Sequence, residues 1–109
     1  MGNKKYKLKY LPLFFEDLDN IVNYIRDTLH KPRAADRLVD LVEEAIKKRQ
    51  PFAESFEPFP SNRKRKYHYY RIYVENFIIY YVVIHEDNSS AIMEVRRMLY
   101  KKQRQDESL

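Results

Sequence analysis

The sequence predicts an α+β fold: a strand, a helical hairpin, and then three strands in a row. Three observations carry this. Apolar residues recur at helical spacing through residues 13–49, an alternating stretch precedes them at 6–10, and three later segments are rich in β-branched and aromatic residues and bounded by turn residues. Strands grouped beside a helix pair imply helices segregated to one face of a sheet. A length of 109 residues suits one domain spanning 1–109, with a single core.

In YKLKY at 6–10, aromatic or apolar residues alternate with lysine, as in a strand with one buried face. Pro12 follows, a residue suited to a first helical turn. Phe14, Leu18, Ile21, Ile25 and Leu29 then give a helix over about 13–28. Glu16, Asp17 and Asp19 fall in its early turns, where the helix dipole favours negative charge. His30, Lys31 and Pro32 break it. Ala35, Leu38, Val42, Ala45 and Ile46 form the stripe of a second helix, which closes on Lys47, Lys48 and Arg49 before Pro51. The two helices form an antiparallel hairpin that must cover a sheet.

PFAESFEPFPSN at 51–62 holds three of the five prolines and three phenylalanines, so it reads as an ordered loop with its rings against the body. A strand is expected over 65–74, with Glu75-Asn76 as a tight turn. FIIYYVVIH at 77–85 is apolar on both faces, which makes it the central strand. AIMEVRRML at 91–99 is the last. These three should form an antiparallel meander under the helices. The polar tail, about 101–109, is expected to fray.

Composition excludes several classes. One glycine in the whole chain rules out glycine-rich phosphate loops, and the absence of cysteine rules out disulfide frameworks and zinc knuckles. No His/Asp/Glu cluster has metal-ligand spacing, so no metal and no cofactor is expected. No apolar run approaches the roughly 18 residues of a membrane span, and the start of the chain is too polar for a signal peptide. A cytoplasmic protein with no membrane partner is the expectation. The net charge of +5 is distributed unevenly: residues 1–59 carry +1, residues 60–104 carry +6, and the last five carry −2. A one-sided excess suits a polyanionic partner.

That excess centres on RKRKYHYYRIYV at 63–74. Along a strand, Tyr70, Ile72 and Val74 share one face, and Tyr67, Tyr69, Arg71 and Tyr73 the other. The aliphatic set should meet the helices, since burying an unpaired arginine is far costlier. Arg71 then points to the open face between Tyr69 and Tyr73. In the last strand, either Arg96 or Arg97 must join it, and the pattern alone does not choose. With the loop cations Arg63, Lys64, Arg65 and Lys66, this face offers forked donors for phosphate and rings for unpaired bases. It reads equally well as architecture, because tyrosine covers sheets and arginine stacks on rings.

From YKLKYLP to RRMLY the chain resembles the RelE/ParE family of toxins of type II toxin–antitoxin systems. YLPLFFEDLDNIVNYI is similar to the family's first helix and PRAADRLVDLVEEAI to its second. YYRIYVENFIIYYVV is similar to its Tyr-Arg motif and the strand after it, and RRMLY to the end of its last strand. The resemblance implies a RelE-like fold, β-α-α-β-β-β, with an N-terminal strand and helical hairpin packed on a small antiparallel C-terminal sheet. It implies one of two activities: ribosome-dependent cleavage of messenger RNA, as in RelE-like members, or poisoning of DNA gyrase, as in ParE-like members. An inactive member is a third alternative.

By the resemblance, Arg71 matches the arginine of the Tyr-Arg motif, Arg97 that of the last strand, and Tyr100 an aromatic-or-histidine position at its end. These three are the catalytic candidates. Arg63–Lys66 lie where RelE-like members gather lysines. With Tyr69, Tyr73, Lys101 and Lys102 they are the RNA-binding candidates. The chain departs from the family at Lys101-Lys102-Gln103-Arg104, where many members have Arg-Asp. The expected function is the RelE-like one, a metal-independent endoribonuclease that inhibits translation at the ribosome. A ribose 2′-hydroxyl would attack the adjacent phosphate, Arg71 and Arg97 would stabilise the phosphorane, and Tyr100 or a crowded lysine would move the proton. The expected partners are the ribosome and mRNA, or gyrase in the alternative, and an acidic, partly disordered antitoxin.

Overall fold

The computed structural model describes residues 5–61, 63–103 and 105–109. The polar start of the chain therefore lies, for residues 1–4, outside the described residues, as do Asn62 and Arg104.

Strand β1 (Lys5–Tyr10) exposes its three lysines and half-buries Tyr6, Leu8 and Tyr10, as its alternation requires. Leu11 is extended and Pro12 opens α1 (Pro12–Asn23), where a missing N–H costs nothing. The helical run continues to Thr28 as a π-helical turn over Tyr24–Thr28. It stops at His30, which takes a positive φ of 55°. That left-handed residue turns the Lys31 amide back to the Ile25 carbonyl at 3.0 Å. Helix α2 (Pro32–Arg49) buries Ala35, Leu38, Val42 and Ile46 and ends in one short 3₁₀ turn, Gln50–Phe52.

Strands β2 (Tyr70–Val74), β3 (Phe77–His85) and β4 (Ser90–Tyr100) form the predicted antiparallel meander. The N-terminal strand joins it: β1 runs parallel to β4, and the four-stranded mixed sheet has the order β1-β4-β3-β2. The hairpin between β2 and β3 turns on Glu75-Asn76, with Glu75 at φ 52°.

The helices cover one face. Phe14, Leu38, Val42 and Ile46 pack there on Ile72, Val74, Ile79, Tyr81, Val83, Met93, Val95 and Met98. The other face has its own apolar layer of Tyr69, Ile78, Tyr80, Val82 and Leu99, flanked by Phe59, Tyr67, Ile84 and Leu109. Strand β3 feeds both layers, which is why it is apolar throughout.

Two segments differ from expectation. The strand predicted over 65–74 begins only at Tyr70. Before it the chain is irregular: Arg65 turns away to Asp106, and the Tyr69 carbonyl accepts the Phe59 N–H at 2.6 Å. The tail does not simply trail off. A short helix α3 (Gln105–Ser108) lies back on the second apolar layer, and Leu109 packs into it.

Candidate functional site

The sheet register sets Arg71, Tyr80 and Arg97 in one row, Arg71 opposite Tyr80 on β3 and Tyr80 opposite Arg97 on β4. Neighbouring strands lie about 4.8 Å apart, so the two arginine backbones stand about 10 Å apart. A β-bulge produces this row. Tyr80 pairs with Arg97 but Tyr81 with Val95, leaving Arg96 as the extra residue. Its effect is to shift the phase of β4. Met93, Val95 and Met98 all enter the helix-side core, while Leu99 joins the other layer. The choice between Arg96 and Arg97 thus has no single answer, because Arg96 also reaches the second layer, stacking over Tyr67 and Tyr69.

Arg97 is not a bare cation. Its Nε donates to Asp17 Oδ2 at 2.7 Å, its Nη2 to Asp17 Oδ1 at 3.0 Å, and its Nη1 to the Ser108 carbonyl at 2.7 Å. Asp17 Oδ2 also accepts the Met98 N–H at 3.0 Å. Strand β1 has ended by this point, its last contact being the Leu11 N–H on Val95. Asp17 therefore caps the unpaired edge of β4 while gripping Arg97 in a fork. The Asp17 hydrogen bond raises the Arg97 pKa, against the lowering effect of burial.

Tyr80, in the middle of the row, is fully buried and donates to Gln105 Oε1 at 2.7 Å. Burial pushes its phenol up to about 12, with Arg71 pulling partly the other way. The tail roofs this end of the row. Arg71 is half-buried, its guanidinium 5.3 Å from the Phe59 ring and 5.9 Å from the Tyr73 ring. Tyr73 is exposed, as expected of a stacking platform, but Tyr69 is buried at 8% exposure.

Tyr100 is not with the two arginines. It pairs with Phe77, whose ring packs against the helix-side core, and the two rings lie 5.9 Å apart. It lines a groove of about 720 Å³ between the π-helical turn and the β2–β3 hairpin, with Tyr24, Ile25 and Leu29. The candidate catalytic side chains are thus divided between the two faces of the sheet.

Among the basic candidates, Arg63, Lys64, Lys66, Lys101 and Lys102 are exposed. Arg65 is largely buried, its Nη2 on Asp106 Oδ1 at 2.9 Å and on the Asp106 carbonyl at 3.0 Å. Hydrogen bonds from Ser61 and Arg65 hold the Asp106 carboxyl below its usual range. Lys101 donates its backbone N–H to the Asn76 carbonyl at 2.8 Å, which places it at the hairpin rather than beside Arg65. His68 is exposed. Among the described residues, no group of three or more His, Cys, Asp or Glu could hold a metal ion. No helix among the described residues is long and apolar enough to cross a membrane.

Sequence reasoning missed three participants. Asp17, taken for a dipole-facing acid, stands three residues after Phe14 and four before Ile21, on the edge of the apolar stripe; a charge there signals a buried partner. Arg49, taken for a last-turn cation, donates to the Arg71 carbonyl at 2.8 Å and the Tyr81 hydroxyl at 3.1 Å, with Phe56 stacked on it at 3.5 Å. It caps the outer edge of β2. Glu94, also buried, accepts from Arg96 Nε at 2.9 Å and lies 3.6 Å from Lys9.

Residues 8–103 match the family described as the ParE toxin of type II toxin–antitoxin system, parDE. The chain belongs to the ParE toxin family. Among solved structures it is similar to one titled "Chromosomal ParDE TA system from P. aeruginosa", with a TM-score of 0.64 and 20% identity, covering 87% of this chain and 95% of that one. At that identity the likeness is one of fold, and it agrees with the ParE/RelE-like architecture described above. No curated protein matches the sequence. The row, the capped β4 edge and the roofed second layer are therefore features of a ParE-family toxin.

Proposed function

We propose that this toxin acts as its ParE kin are expected to, inhibiting DNA gyrase by binding it, and that a cognate antitoxin, acidic and partly disordered, holds it inactive in the cytoplasm. The observation that carries this reading is the bidentate Asp17–Arg97 pair. Phosphoryl transfer needs cations aimed at the charge that develops, and Arg97 has already committed three of its five N–H donors. Tyr100 lies across the sheet, and the buried Tyr80 phenol, at about 12, is poorly placed to exchange a proton near neutrality. Arg71 alone does not make a cleavage centre.

Binding needs less. The groove beside Tyr100 offers exposed Tyr24, Leu29 and Tyr100 rims around Ile25 and Phe77, the aromatic-rich, weakly charged surface typical of protein contacts. The ParE family match supports the same choice over the ribonuclease first expected.

Purified toxin added to gyrase and plasmid should abolish supercoiling and accumulate protein-linked DNA breaks, and induced cells should show the same breaks with transcript ends unchanged. Transcripts cut at ribosome-bound codons in cells whose DNA stays intact would overturn the proposal and restore the ribonuclease.

A further inference from the structure

Gyrase binding leaves the basic segment at 63–69 without a role, and that segment does build something. Arg65, Lys66, Tyr67, Tyr69 and Arg96 line an open cleft of about 320 Å³ on the sheet face away from the helices. The cations are arranged on the rings: Arg65 lies 5.1 Å from the centre of Tyr69, Lys66 5.4 Å from Tyr67, and Arg96 5.7 and 5.8 Å from Tyr67 and Tyr69. Rings hold guanidinium groups flat and rigid, which lowers the entropy lost on gripping an anion.

Among the described residues, two carboxylates are paired with the cluster. Glu94 takes Arg96 and approaches Lys9, while Asp106 takes Arg65. Four cations, Lys9, Arg65, Lys66 and Arg96, thus meet two anions, and the exposed Arg63 and Lys64 stand beside them. Each carboxylate accepts from one side of a guanidinium and orients it. Arg65 keeps Nη1 and Arg96 keeps Nη2 without a hydrogen-bonded acceptor among the described residues. The cleft is therefore an oriented, net-positive donor set and not a neutralised one.

We propose that this cleft binds the phosphodiester backbone of a nucleic-acid strand, its phosphates held by Lys66, the neighbouring exposed Arg63 and Lys64, and the unspent edge of Arg96, with Arg65 held on Asp106 as one wall. The cleft adjoins the Arg71–Tyr80–Arg97 row through the Tyr69–Tyr80 ring contact at 6.1 Å but shares no lining residue with the groove beside Tyr100, so the proposal stands whether or not gyrase is the target. Charge selects the occupant. Five of the ten basic residues between 60 and 104, Arg63, Lys64, Arg65, Lys66 and Arg96, line this cleft or stand beside its lining in the sequence.

Short fluorescein-labelled oligodeoxythymidylate and oligouridylate, titrated with the toxin and read by anisotropy, test it. Engaging about three phosphates should weaken binding about twentyfold between roughly 50 and 200 mM salt. Lys66→Ala and Arg96→Lys should each weaken it about fivefold, the second by removing the fork while keeping the charge. Lys47→Ala with Lys48→Ala, which removes two exposed cations from α2, should change it less than about twofold. Preference for one oligomer identifies the strand type, and either preference supports the site. No binding at low salt, equal losses from the α2 pair, or equal competition by polyglutamate at matched charge would overturn it. Lys66 is exposed, so its variant folds regardless.

Discussion

Removing the Asp17 carboxylate is the sharpest test of the pairing that divides the two functional readings. Its side chain is 12% exposed and that of Arg97 is 22%. Asp17→Ala deletes three hydrogen bonds, two to Arg97 and one to the Met98 amide. Breaking a fully buried pair costs about 3–5 kcal/mol, and partial exposure of this one reduces that to about 2. The orphaned Met98 N–H on the β4 edge adds about 1 kcal/mol. The expected loss is therefore about 3 kcal/mol in Asp17→Ala and about half that in Asp17→Asn, which keeps an acceptor for Met98. Urea denaturation followed by circular dichroism measures both. Arg97→Ala should cost less than Asp17→Ala, because the carboxylate it leaves still serves Met98, and a double-mutant cycle should return a coupling of about 1–2 kcal/mol. Asp17→Ala within about 0.5 kcal/mol of wild type, or a coupling near zero, would refute the claim that Arg97 is held for structure.

Replacing Glu75, at φ 52°, by glycine relieves a left-handed conformation at the first position of a two-residue hairpin and should stabilise by about 1 kcal/mol, read as a rise in the urea midpoint. Arg49→Ala should destabilise by about 2 kcal/mol and speed hydrogen exchange across β2 and the 53–59 loop, since it frees the Arg71 carbonyl and uncovers Phe56. The tail should detach in acid. The folded-state pKa of Asp106 is depressed by Ser61 and Arg65, so its contribution is complete above the ordinary carboxylate pKa of about 3.9 and is lost as pH falls through the lowered folded value. Amide exchange at 105–109 that shows no acid-dependent opening, or opening that Asp106→Asn does not abolish, would contradict this.

How much of this was legible beforehand depended on whether a local period carried the information. The helical stripes at 14–25 and 35–46 and the doubly apolar β3 stand where spacing placed them, because each buries a face against one neighbour. The parallel pairing of β1 with β4 was not readable, since it joins residues 85 apart and leaves no local trace. The β4 phase shift did leave one. Apolar residues at 93, 95 and 98, rather than at 93, 95, 97 and 99 alone, mark an inserted residue at the two arginines. The roofed second layer was illegible for another reason. Tyr69 read as an open-face ring, whereas it joins Tyr80 in a layer that Phe59 flanks and α3, short and polar, roofs.

An arginine in a motif position can serve phosphate only with donors it has not already given away. Arg71 and Arg97 share a row because the sheet register and the bulge put them there, and that geometry arises whether or not chemistry follows. What separates the cases is the edge beside them. Where β1 stops short of Met98, some acceptor must satisfy the exposed N–H, and Asp17 does so from α1. A carboxylate placed there lies within reach of Arg97 and captures it. An endoribonuclease built on this frame would need a neutral acceptor at position 17, or a β1 long enough to pair that edge itself. The capped edge thus ties a feature of pure folding to the hold on Arg97, and leaves Arg71 with rings on two sides.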